Sequence, residues 1–113
     1  MQMRIQQDPD RPVQIWVQGV IHPEDLPILR PAWQKLLRDM SGAQTLWLHL
    51  EPLRGVNHTL LEALHEFALD CRRHGVQLLL IVRHKGNALL LQNQGFQVHY
   101  QDPDPILEKA SVF

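Results

Sequence analysis

Cysteine is almost missing from this 113-residue chain. Cys71 stands alone, so no internal disulfide can form, and a reducing, cytoplasmic setting is the expectation. An excess of charge of one sign is missing too. Eleven Lys and Arg side chains face twelve Asp and Glu, a net charge of −1, which supplies no general pull toward nucleic acid or anionic lipid. No apolar run approaches the ~20 residues of a membrane-spanning helix, and the first ten residues lack the basic-then-apolar order of a signal peptide. The six glycines are spread singly, which leaves neither a dinucleotide fingerprint nor a P-loop. Ser41 follows a candidate helix and Ser111 sits in the tail, so neither occupies a strand-to-helix elbow. These absences argue against export, direct membrane insertion, nucleic-acid binding and serine-type catalysis, and no cofactor is expected.

What is present is globular in composition: 44% apolar and 20% charged residues. A chain of this length buries roughly two thirds of its unfolded surface and can hold one core without metal or disulfide, so residues 1–113 are read as one domain. Residues 3–7 and 13–18 read as two strands around the Asp8-Pro9-Asp10-Arg11-Pro12 turn, the second with Val13, Ile15 and Val17 alternating with Gln14, Trp16 and Gln18. Trp33, Leu36, Leu37 and Met40 share a helical face. Pro27 and Pro31 place the regular start of that helix at Pro31, where proline suits the first turn, and Ser41-Gly42 stops it. The nearly unbroken apolar run 45–50 predicts an interior strand covered on both faces.

Thr59-Leu60-Leu61-Glu62 matches a capping box, with Thr59 as N-cap. Leu60, Leu61, Leu64, Phe67, Ala68 and Cys71 form the buried arc of the helix that follows, closed by Gly75. Residues 76–83 form another buried strand. Asn87 is placed to cap a short helix over 88–94 that Gly95 terminates, with residues 96–100 a last strand and 105–110 a terminal helical turn or two. The order β-β-α-β-α-β-α-β-α describes an α/β domain with a mixed, mostly parallel sheet, its crossovers right-handed.

Several side chains invite chemistry. His58, Glu62 and His65 would share one helix face if His58 is helical, and with His49 they could form a metal site. The competing reading leaves Glu62 to the capping box, with both histidines half exposed. His49, between Leu48 and Leu50, is expected to be a hydrogen-bonded core histidine or to stand at the sheet edge beside a site. Cys71 lies in an apolar stripe and is expected to act as a small hydrophobe. The basic clusters 72–74 and 83–85 lack interleaved aromatics and read as solvated faces. Leu69 projects about 180° from Leu60 on the helical wheel, onto the polar side, and is a candidate partner contact.

The run from Thr45 to Leu64, Thr-Leu-Trp-Leu-His-Leu-Glu-Pro-Leu-Arg-Gly-Val-Asn-His-Thr-Leu-Leu-Glu-Ala-Leu, resembles a STAS domain. So do the amphipathic helix, Gly75 and the strand Val-Gln-Leu-Leu-Leu-Ile-Val that follow it. The resemblance extends to the hairpin, to the Gly19-Val-Ile-His22 entry into the first helix, and to the helix and strand after residue 88. That family includes bacterial anti-sigma factor antagonists and the cytosolic tails of sulfate-transporter-type anion carriers. Its central motif, an apolar residue followed by Asp-Ser-Ser/Thr-Gly-Leu, corresponds here to Val56-Asn57-His58-Thr59-Leu60-Leu61. The hydroxyl residue that the family phosphorylates corresponds to Thr59, whereas the acidic residue is Asn57, the first serine His58 and the glycine Leu60.

The resemblance implies a non-catalytic regulatory module that docks a protein: an anti-sigma factor or kinase-like regulator, or a component of a membrane transporter. Its contact residues would be Arg54, Asn57, His58, Thr59 and Leu60 in the loop and helix start, with Glu62, Glu66 and Leu69 along the exposed side. A homodimer remains open. Two rival readings are a sensor of a small anion or nucleotide at the helix start Asn57-His58-Thr59 and a metal-dependent enzyme built on His58, Glu62 and His65, with His49 as a further ligand.

Overall fold

The computed structural model describes residues 1–8, 10–40, 44–51 and 56–101. Strands β1 (Gln2–Gln6) and β2 (Val13–Gln18) pair antiparallel as a hairpin. A 3-10 turn (Pro23–Asp25) leads into helix α1 (Leu26–Asp39). Strand β3 (Thr45–Glu51), helix α2 (His58–Arg73), strand β4 (Gln77–Val82), helix α3 (Lys85–Asn93) and strand β5 (Val98–Tyr100) follow. The strands lie side by side in chain order, and all pairs after the hairpin are parallel. Among the described residues the chain is α/β, with a five-stranded, mostly parallel sheet and three helices. The helical turns expected over 105–110 and the Ser41-Gly42 stop lie outside the described residues.

Each parallel connection steps the same way across the sheet, from β2 to β5. Right-handed crossovers repeated in one direction put every helix on the same face. The core reflects this: Ile15, Leu48 and Leu80 from the strands pack in one cluster with Leu29 and Trp33 of α1, Leu64 and Phe67 of α2, and Leu91 of α3. The other face of the sheet carries none of the three helices. This corrects the expectation that β3 is covered on both sides. Leu46, Leu48 and Leu50 are buried, but Trp47 and His49, between them, are only half-buried. The apolar content of the run concealed an ordinary alternation.

Helix α1 begins at Leu26 rather than Pro31, and Pro31 lies inside it. An interior proline forfeits a hydrogen bond and crowds the carbonyl four residues back, a cost of about 3 kcal/mol. The earlier turn is held by tertiary contacts. Leu29 is fully buried, a gain of roughly 1.5–3 kcal/mol, and Arg30 clasps Glu66 of α2 through two hydrogen bonds of 2.9 and 3.0 Å. Helix α3 also starts earlier than expected. His84, not Asn87, is its N-cap, and His84 Nδ1 accepts from the Asn87 N–H at 3.3 Å.

The two helix ends predicted at glycines are observed. Gly75 (φ +71°) and Gly95 (φ +93°) adopt the left-handed conformation. The next residue in each case donates back to the helix, Val76 to the Cys71 carbonyl and Phe96 to that of Leu91, which satisfies carbonyls the helix leaves unpaired. Phe96 is thereby taken from β5, which is shorter than expected. Among the described residues, no helix is long and apolar enough to cross a membrane.

Candidate docking surface

The start of α2 is organised by Asn57. Its backbone is extended, its Oδ1 accepts from the Leu60 N–H at 2.8 Å, and its Nδ2 donates to the Ile21 carbonyl at 2.9 Å. One amide thus caps the helix and ties it to the segment after β2. This overturns the capping box at Thr59. Asn and Thr can both cap, but only the amide of Asn57 also satisfies the Ile21 carbonyl. Thr59 therefore sits half-buried inside the first turn, and its hydroxyl is not the cap. The Glu62 carboxylate turns to His58 Nε2 at 2.9 Å. Arg54 lies outside the described residues.

The two faces of α2 differ sharply. Leu60, proposed from the resemblance as a contact residue, is buried against the core and is removed from the contact set. The helical arc that includes Leu64, Phe67 and Cys71 claims it. Glu66 is exposed but engaged, since it holds Arg30 and so joins α2 to α1. Both partners remain about half exposed, where solvent screening leaves an ion pair little net value. His58 and Glu62 are exposed at the helix start, and Leu69, an apolar side chain on the polar face, is 47% exposed. His65 does not join the His58–Glu62 pair. Its Nε2 lies 3.3 Å from Gln94 Oε1 and its ring packs on Phe96 at 4.7 Å. Among the described residues, no three His, Cys, Asp or Glu side chains are placed to hold a metal ion.

A feature that the sequence reading missed lies on the opposite side of the sheet. Register aligns Arg4, Trp16, His49, Ile81 and His99 in one row across all five strands. The Arg4 guanidinium sits 4.3 Å over the Trp16 ring, and Trp16 stacks on His49 at 4.7 Å with an interplanar angle of 8°. His49 Nε2 donates to Gln14 Oε1 at 2.8 Å. Desolvation lowers the His49 pKa; Arg4 pushes the same way, and Glu51 opposes them. His49 is hydrogen-bonded, as expected, yet it belongs neither to the core nor to a sheet edge but to the middle of an open face. The alternation in β2 and β3 already grouped Trp16 with Gln14 and His49 with Trp47. The missing signal was the register that sets the two pairs beside each other.

Cys71 is fully buried, and burial, assisted by the adjacent Asp70, pushes its thiol pKa up to about 12. It stays protonated and unreactive at neutral pH.

At the C-terminal ends of β2, β3 and β4, where open parallel sheets gather ligands, a cavity of about 610 Å³ is lined by Met1, Gln18, Glu51, Arg83, His84 and Asn87 among others. Glu51 accepts there from Gln18 Nε2 at 2.9 Å. Set against known proteins, this chain matches no protein-family model, no curated protein and no solved structure.

Proposed function

We propose that this chain is a STAS-like, non-catalytic module that docks a regulatory protein through the start and outer face of α2. The observation that carries this reading is the outer face itself. Leu69 presents an apolar side chain to solvent on the same helix whose opposite face is committed to the core, in line with exposed Glu62 two turns back, and covering it with a partner would remove apolar area from water without touching the core. His58, Thr59 and Glu62 lie at the helix start, and the hairpin, the strand order and the one-sided helices support the family resemblance. Thr59 is the candidate phosphorylation residue. A phosphate there would meet the positive end of the α2 dipole while adding nearly two negative charges to the docking surface. The partner class is an anti-sigma factor or kinase-like regulator, or a component of a membrane transport assembly.

The test is affinity capture from the native cell with the wild-type chain and a Thr59→Glu, Leu69→Asp double variant, with bound proteins identified by mass spectrometry. A partner held by the wild type and lost by the variant supports the reading, and its identity separates regulator from transport assembly. The same proteins on both baits would remove α2 as the working surface.

A second reading, a sensor of a small anion or nucleotide, is favoured by the cavity beside Arg83 and His84 at the start of α3. Titration with phosphate and with a nucleotide, followed by amide NMR, would show shifts at Arg83–Asn87 if it holds. Silence at millimolar ligand would end it.

A further inference from the structure

We infer that the cavity at the ends of β2, β3 and β4 takes a free α-amino acid with an apolar side chain, its ammonium group held by Glu51 and its carboxylate by Arg83. This rests on the second reading above, that the cavity binds a small ligand, and narrows that ligand from an anion to a zwitterion.

The strand ends set the two charges side by side without joining them. Leu50 pairs with Val82, so Glu51 and Arg83 stand one position further on, on neighbouring strands about 4.8 Å apart. Opposite charges across adjacent strands attract, yet neither residue belongs to an ion pair among the described residues. The reason lies on the other side of β3. Gln18 Nε2 donates to Glu51 Oε2 at 2.9 Å, which draws the carboxylate toward β2 and away from Arg83 on the β4 side. A carboxylate and a guanidinium without a carboxylate partner thus border one hollow.

That combination of signs selects the ligand. Glu51 repels phosphate or a nucleotide, which brings two or more negative charges, and Arg83 repels a simple amine. An α-amino acid carries an ammonium and a carboxylate on one carbon and satisfies both. His84 adds a donor beside Arg83. Its Nδ1 accepts from the Asn87 N–H, so the proton of the neutral ring is on Nε2. Gly86 leaves room for this ring, since a Cβ there would lie 3.0 Å from it. Met1 and Leu50 supply the apolar wall. A cavity of about 610 Å³ falls within the roughly 300–1,000 Å³ of small-ligand sites and holds a side chain as well as the two charged groups.

The experiment titrates the full chain with L-leucine and follows its backbone amides by NMR. Three further ligands are run beside it: leucinamide, which lacks the carboxylate, 4-methylpentanoate, which lacks the ammonium, and inorganic phosphate. The expected result is saturable shifts at Gln18, Glu51, Arg83 and His84 with leucine. Either one-charge analogue should bind about tenfold more weakly or worse, the loss that goes with a missing charged hydrogen bond. Glu51→Gln should shrink the advantage of leucine over 4-methylpentanoate, and Arg83→Gln its advantage over leucinamide. Analogues that bind as tightly as leucine overturn the inference, as do unchanged preferences in both variants. Shifts with phosphate while leucine is silent also overturn it, but leave the second reading standing. Silence with all four ligands ends both.

Discussion

Asn57 offers the sharpest test of how this fold is assembled, because one side chain makes two bonds of different kinds. Asn57→Ala removes the cap on the Leu60 N–H, worth typically about 1 kcal/mol. It also removes the donor to the Ile21 carbonyl, worth about 0.5–1.5 kcal/mol net. The sum predicts a loss near 2 kcal/mol. Asn57→Asp separates the parts. A carboxylate caps as well as an amide and gains about 0.3–1 kcal/mol from the helix dipole. It cannot donate, however, and it would set a negative oxygen against the Ile21 carbonyl, so the expected net loss is about 1 kcal/mol. Urea unfolding at neutral pH measures both, provided that the slope of free energy against urea is unchanged. Wild-type stability or better in Asn57→Asp, with Asn57→Ala destabilised, would refute the role assigned to the Ile21 bond. The expected ordering would explain why an amide rather than a carboxylate stands at this position: it needs a donor as well as an acceptor.

Leu64→Ala or Phe67→Ala, each emptying a fully packed site, should cost roughly 2–5 kcal/mol, whereas Leu69→Ala should fall within about 0.5 kcal/mol of wild type; denaturant melts compare them. The lowered pKa of His49 means that the unfolded chain binds its proton more readily than the folded one. Its contribution to stability is therefore fully present above the ordinary histidine pKa and is lost as pH falls from there through the lowered folded value. His49→Gln should flatten that part of a stability–pH curve. The Cys71 thiol, with its pKa raised to about 12, should react with a thiol reagent at pH 8 only as fast as the protein opens, and promptly once denatured.

The expectations that held were those governed by short-range chemistry. Val13, Ile15 and Val17 alternate in the sequence and are buried in β2, Gly75 and Gly95 end the helices they follow, and the α2 stripe places Leu64 inside and Leu69 outside. Periodicity and glycine stereochemistry act within a few residues, so one strand of text carries them. The misplaced starts of the three helices have two causes. At Leu26, His58 and Lys85 the first turn depends on partners remote in the chain or on an uncommon cap: buried Leu29 and the Arg30–Glu66 clasp for α1, the Ile21 carbonyl for α2, and the His84 ring for α3. Local propensity lists contain none of these. The same gap explains the site residues. Leu60 falls both in the loop singled out by the resemblance and in the apolar arc of α2, and packing awards it to the core.

By itself, then, the sequence determined the order of the described strands and of α1, α2 and α3, the buried alternation of β2, most of the buried arc of α2, and the inertness of Cys71. Those follow from the spacing of apolar residues and from burial on such a stripe. Tertiary structure alone decided that all three helices share one face and that Arg4, Trp16 and His49 meet on the other. That outcome depends on strand order, register and the hand of each crossover, and these are relations between segments that no single segment encodes.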